Sequence, residues 1–283
     1  MKTWRCCRIN LMQWRLQPKF AICLIYLVLD MWDLFQGFQD YAAAVGGPVA
    51  VWLLPLLPGA QNRYVLILLA FVMLISDAPF RNRQQQFVLQ RTGKALWIRG
   101  QLLYLLMLSA LFTLALWVLT WVFLLPQVSF APEWGTVLQT AARYPHAYEV
   151  FLPVTVSMDI LNGCTGLEAT LWTICTQTLV CTLLGEIVML CNLWCKRGVG
   201  VAVAVGLIMI SYCIRLMSSA VGVFRFFSWG SPVSWADRSM MGHVNQNLPS
   251  FTYGILMSLG LCVLLGVALM ATIHRCNLET DKE

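Results

Sequence analysis

Apolar residues along this chain come in blocks of about 20, the length a helix needs to cross a bilayer core of about 30 Å. Blocks near 20–38, 61–79, 97–125, 167–193, 199–218 and 251–273 predict six transmembrane helices. The second is short between its polar flanks and borrows turns from Gln61-Asn62-Arg63 or from Asp77 onward. Residues 39–63 open with Gly46-Gly47-Pro48 and are broken by Pro55 and Pro58-Gly59. That stretch reads as an outer loop with an interfacial or re-entrant piece. Residues 126–167 contain no span-length block and suit short amphipathic helices near 134–144 and 150–161, and 219–250 is a polar, turn-rich outer segment. The resulting fold class is all-α and polytopic: six transmembrane helices, an N-terminal interfacial helix over 1–19, and short outer amphipathic or re-entrant helices.

Composition supports the same class. Of 283 residues, 59% are apolar and 11% charged, less than half the charged fraction of roughly 25% usual for a soluble domain. Six of the eleven cysteines (Cys23, Cys175, Cys181, Cys191, Cys213 and Cys262) fall inside apolar blocks, where cysteine behaves as a small hydrophobe. No pair has zinc-site spacing, so the cysteines predict neither a metal site nor a disulfide framework. The first apolar block follows 19 residues, carries Asp30 and Asp33, and shows no small-residue cleavage site, which reads as a retained anchor.

Charge sets the expected orientation. The net charge is +6, and the basic residues cluster beside hydrophobic spans, which fits topology and anionic headgroups better than nucleic acid. Of the nineteen Lys and Arg residues, fourteen lie before the first span, in 76–100, at Lys196-Arg197, or in the tail at Arg275 and Lys282. Arg63, Arg143, Arg215, Arg225 and Arg238 are spread over the other segments. By the positive-inside rule both termini are cytoplasmic.

The loop 76–100 is the one long basic interruption between spans. It holds Arg81, Arg83, Arg91, Lys94 and Arg99, with glutamines at Gln84, Gln85 and Gln86. A short interfacial helix over about 83–91 ends at Gly93, a residue suited to a helix end. Read from its residues, this loop is either a protein-recognition surface or a plain headgroup-binding loop. Glu186 lies deep in the fourth span, where an ionisable group is costly. It is either a substrate-path or proton-relay group or a packing residue between helices. Arg215 is expected to snorkel to the outer interface, Asp30 and Asp33 to be solvated at a span end, and His146 and His243 to be surface residues. The sequence has no Gly-x4-Gly-Lys-Ser/Thr phosphate loop, so it does not bind and split ATP in the usual way.

The residues Ser76-Asp77-Ala78-Pro79-Phe80, followed by Gln90-Arg91-Thr92-Gly93-Lys94 and then Trp97, Gly100, Gln101 and Tyr104, resemble the segment between spans 2 and 3 of type-2 ABC exporter permeases. The chain is similar to the Clostridia-type members, whose membrane subunit is separate from its ATPase. The motif covers about 30 residues, whereas the layout of interfacial helix, six spans and outer polar segment covers all of 1–283. The resemblance implies a single permease domain in the cell membrane, with 80–96 as the coupling loop and a second permease subunit, identical or not, as partner. ATP and Mg would be bound by the separate ATPase, with no cofactor in this chain. Coupling residues would be Arg81, Arg83, Gln84, Gln85, Gln86, Arg91, Gly93 and Lys94, with Glu186 on the substrate path. Segment 126–167 is longer than a minimal permease needs. The alternatives are a membrane-embedded enzyme acting on lipid or peptide, and a non-transporting sensor or immunity protein.

Overall fold

The computed structural model of the chain describes residues 2–12, 17–80, 91–144, 154, 156, 158–195, 198–242 and 248–275. Among them run nine α-helices: α1 (Lys2–Met12), α2 (Pro18–Val45), α3 (Gln61–Ile75), α4 (Lys94–Val122), α5 (Gly135–Arg143), α6 (Met158–Gly163), α7 (Gly166–Trp194), α8 (Val199–Ala220) and α9 (Phe251–Arg275). The protein is all-α and membrane-embedded, and α2, α4, α7, α8 and α9 are each long and apolar enough to cross a membrane. The fifteen residues of α3 rise only about 22 Å at 1.5 Å each.

Local chemistry sets the helix ends. Pro18 occupies the first turn of α2, where its missing N–H costs nothing. Gly46, at φ 72°, ends that helix, and its N–H and that of Gly47 both donate to the Ala42 carbonyl. Helix α7 opens on a reciprocal cap. The Glu168 N–H donates to Thr165 Oγ1 at 3.3 Å, and the Thr165 N–H donates to Glu168 Oε2 at 3.1 Å.

Helix α7 is the centre of the bundle. It packs against α9, α4, α8 and α3, and 61% of its most apolar window is buried, against 17% for α8 and 22% for α9. This burial explains why the innermost span carries more polar residues than α4, α8 and α9. Its hydroxyls need partners inside the protein, and Thr173 and Thr182 donate to carbonyls one turn back, as Ser109 and Thr113 do in α4. Helix α4 approaches at Gly185, where a Cβ would stand 2.3 Å from Leu105 Cδ1.

The stretch after α2, expected as an outer loop with an interfacial or re-entrant piece, is buried. The whole of 49–58 is inside the protein, including all but the last residue of the 3-10 turn Leu54–Gly59. Irregular backbone in apolar surroundings must be satisfied by the protein itself. A two-residue parallel bridge does this: β1 (Val49–Ala50) pairs with β2 (Val128–Ser129), which follows α4. Tryptophan N–H groups add to it. Trp52 donates to the Ala131 carbonyl at 2.6 Å and Trp117 to that of Val51 at 3.3 Å, with the two rings stacked 6.2 Å apart. Trp134 donates to the Cys164 carbonyl at 2.7 Å. With α5, these contacts close one end of the bundle as a cap. Of the two amphipathic helices expected in 126–167, α5 lies at the first position, and the second, 150–161, lies partly outside the described residues, with the six-residue α6 at its end.

The opposite end carries the start of α2, the ends of α3, α7 and α9, and the starts of α4 and α8. Lys19 pairs with Asp77, Asn192 bonds to the Ala78 carbonyl, and Trp194 Nε1 donates to Thr272 Oγ1. The chain therefore enters and leaves the bundle at one end.

Candidate functional site

The site grows from the turn 76–80, where α3 runs out and the basic loop begins. Three helices touch this turn, and a fourth, α8, is joined to it through Asn192. From α2, Lys19 Nζ reaches Asp77 Oδ2 at 2.7 Å and lies 5.8 Å and 5.9 Å from the ring centroids of Phe20 and Phe80. From α7, Asn192 Nδ2 donates to the Ala78 carbonyl at 2.7 Å, with the Ser76 carbonyl at 3.5 Å. The other end of that amide binds α8, because the Gly200 N–H donates to Asn192 Oδ1 at 3.0 Å. From α4, Tyr104 meets Phe80 edge-on at 4.8 Å between centroids.

Asn192 is buried, so both ends of its amide need partners, and it has them. A single side chain thereby joins the turn, α7 and α8. Lys19–Asp77 is weaker, since the Asp77 carboxylate is 68% exposed and a solvated pair adds only about 0–1 kcal/mol. The turn is held chiefly by Asn192 and by the packing of Phe80.

At the far side of the loop, Arg91 and Thr92 are helical and Gly93 breaks the helix. Gly93 sits at φ 79°, ψ 159°, a region essentially restricted to glycine. It redirects the chain so that α4 starts at Lys94. Arg91, Gly93 and Arg99 are exposed, and Lys94 is half-buried. The other expected loop residues, Arg81, Arg83, Gln84, Gln85 and Gln86, lie outside the described residues, as do His146 and His243.

Glu186 is placed apart from this turn, where α4, α7 and α9 meet. It is 5% exposed, Oε2 has no partner, and Oε1 lies 3.8 Å from where a Cβ on Gly266 would be. Among the described residues, the structure thus separates Arg91, Gly93 and Lys94, at the return of the loop, from a buried carboxyl on the central helix.

Three other charges, Arg215, Asp30 and Asp33, differ from the sequence reading. Arg215 does not snorkel; it pairs with Asp237, with the two side chains 12% and 8% exposed. Asp30 and Asp33 are not simply solvated, because Arg63 of α3 pairs with both. Arg238 is buried, lies 3.3 Å from the Phe251 ring centroid and donates to Cys164 Sγ at 2.9 Å, while its Nη1 has no partner. Burial lowers the Arg238 pKa, and the Cys164 thiol raises it. Burial also pushes the Cys164 thiol up against the opposing pull of Arg238. All of these are contacts between residues distant in sequence, and periodicity does not report them.

Sequence reasoning also missed Lys19, Asp77, Asn192 and Gly200 as anchors of the turn. Asn192 carried a usable signal, being an amide in the last turn of an apolar span beside a basic turn. Among the described residues there is no group of three or more His, Cys, Asp or Glu that could hold a metal ion. No family model, curated protein or solved structure matches the chain.

Proposed function

We propose that the chain is the membrane-spanning permease subunit of an ATP-driven exporter of the type-2 ABC class. A separate ATPase subunit holds ATP and Mg and docks on the basic loop through Arg81, Arg83, Gln84, Gln85, Gln86, Arg91, Gly93 and Lys94. The permease works in the cell membrane with a second permease subunit, and both its termini are cytoplasmic. The short α3, lengthened by the buried turn before it, is the second of six crossings. The observation that carries this reading is the turn 76–80, which is tied at once to α2, α4, α7 and α8. A push on the loop therefore reaches four helices and moves them as a body, the kind of rigid motion that alternating access needs. Glu186, packed between α4, α7 and α9, is the polar group on the substrate path that such a motion uncovers.

Two variants separate docking from transmission. Reversing charge at Arg91→Glu and Lys94→Glu is expected to abolish co-purification with the ATPase subunit and the permease-stimulated part of its ATP hydrolysis. Asn192→Leu removes the bonds to Ala78 and Gly200 and costs about 1–3 kcal/mol of local stability. It is expected to leave the complex intact while uncoupling hydrolysis from transport. If the charge-reversed protein associates and stimulates as the unmodified one does, the loop is not the dock.

A further inference from the structure

Helix α1 divides into two faces about 100° wide each, at 100° per residue. On one, Cys6, Cys7 and Asn10 are buried against α4. A Cβ on Gly100 would stand 2.6 Å from Cys6 Cβ, so α1 and α4 touch almost backbone to backbone. Asn10 Nδ2 donates to Gln101 Oε1 at 3.2 Å, and Cys7 Sγ to Met107 Sδ at 3.5 Å. On the opposite face Trp4, Arg5, Arg8 and Met12 are exposed, with Trp4 at 50% and Met12 at 58%.

Neither α1 nor the stretch 91–100 contains an acidic residue. Among the described residues no ion pair involves Arg5 or Arg8. Two unneutralised cations therefore lie between a tryptophan and a methionine, on a helix fixed along the flank of a membrane-crossing helix. A basic strip bordered by exposed apolar side chains matches an anionic headgroup above its acyl chains. A purely solvated face would leave Trp4 and Met12 without cover.

We propose that the Trp4, Arg5, Arg8 and Met12 face of α1 is a binding site for anionic phospholipid. Through Gly100 and Gln101 it clamps the first turns of α4, the helix by which the basic loop returns to the membrane. Lipid bound on α1 thus bears on the far side of the loop, independently of what docks on the loop itself.

The test uses the full chain in phosphatidylcholine nanodiscs containing a minor fraction of phosphatidylglycerol with a photoreactive headgroup. Crosslinks are then mapped by peptide mass spectrometry. Labelling is expected within α1. Arg5→Gln with Arg8→Gln is expected to weaken it roughly 30-fold, the equivalent of about 1 kcal/mol per cation. Arg5→Lys with Arg8→Lys should retain most of it, and soluble glycerol phosphate should not displace the lipid. Undiminished labelling of the glutamine variant, equal loss in the lysine variant, or displacement by glycerol phosphate would each overturn the proposal. So would a purified ATPase subunit whose binding in lipid-free detergent requires Arg5 and Arg8, since the face would then belong to a protein.

Discussion

Asp237→Ala is expected to cost about 3–5 kcal/mol of stability, the usual penalty for removing one partner of a buried ion pair. Arg215 and Asp237 are both largely buried, so removing the carboxylate leaves a guanidinium in a site it cannot leave. Asp237 Oδ1 also accepts from the Ser239 N–H at 2.9 Å and Oγ at 2.7 Å, so the short 3-10 turn Arg238–Met240 loses its cap as well. The pair joins α8 to the segment that follows it, beside a cavity of about 20 Å³ lined partly by Tyr64, Ser211 and Ser234. The double change Arg215→Leu with Asp237→Leu should recover most of the loss, because a well-packed apolar pair avoids the burial of charge. Unfolding in a mild detergent measures both. A loss below about 1 kcal/mol for Asp237→Ala, the range of an exposed pair, would mean that water reaches the pair.

Gly200→Ala is the second large effect. A Cβ at this position would lie 2.4 Å from the Val188 carbonyl oxygen, 2.8 Å from Val188 Cα and 2.9 Å from Asn192 Oδ1. Two of these atoms are backbone and cannot swing aside, so α8 must move away from α7. Overpacking costs about 1–3 kcal/mol, and the shift also stretches the Gly200 N–H bond to Asn192, adding about 1 kcal/mol. The expected total is about 2–4 kcal/mol, together with loosening of the turn 76–80 that Asn192 holds. Gly206, in the same helix, has nothing within 4 Å of a Cβ. Gly206→Ala should therefore be neutral or stabilising by up to about 1 kcal/mol, as alanine is the better helix former. Equal effects at the two positions would contradict the close packing of α7 and α8.

These two sites show where the sequence was legible. Five of the expected spans were readable, as α2, α4, α7, α8 and α9, because each carries an apolar block of sufficient length, whereas α3 is shorter. Gly93 was readable as a helix end because few residues besides glycine serve there, although its φ and ψ place it as the turn into α4. The buried stretch 49–58 was not readable, since its prolines and glycines signal a loop wherever a loop sits. Its burial follows from β2, 79 residues on from Val49, and from Trp117, 66 residues on from Val51. Arg215 and Asp237 are separated by a helix end and two 3-10 turns, and no period connects them. Asn192 anchors the candidate site by reaching Ala78, 114 residues earlier. The basic loop was visible from charge alone, while the contacts that hold the turn at its start are non-local.

The account as a whole depends on the basic loop being the contact for a separate ATPase. The most direct measurement places a photocrosslinking amino acid at Gln85, in the middle of the loop, with a control at Asn162 by the cap. Crosslinking is done in membranes, and the adducts are identified by mass spectrometry. The account predicts that Gln85 captures a nucleotide-hydrolysing subunit in a nucleotide-dependent manner and that Asn162 does not. Capture of lipid alone at Gln85, or equal capture of that subunit from Asn162, would contradict it.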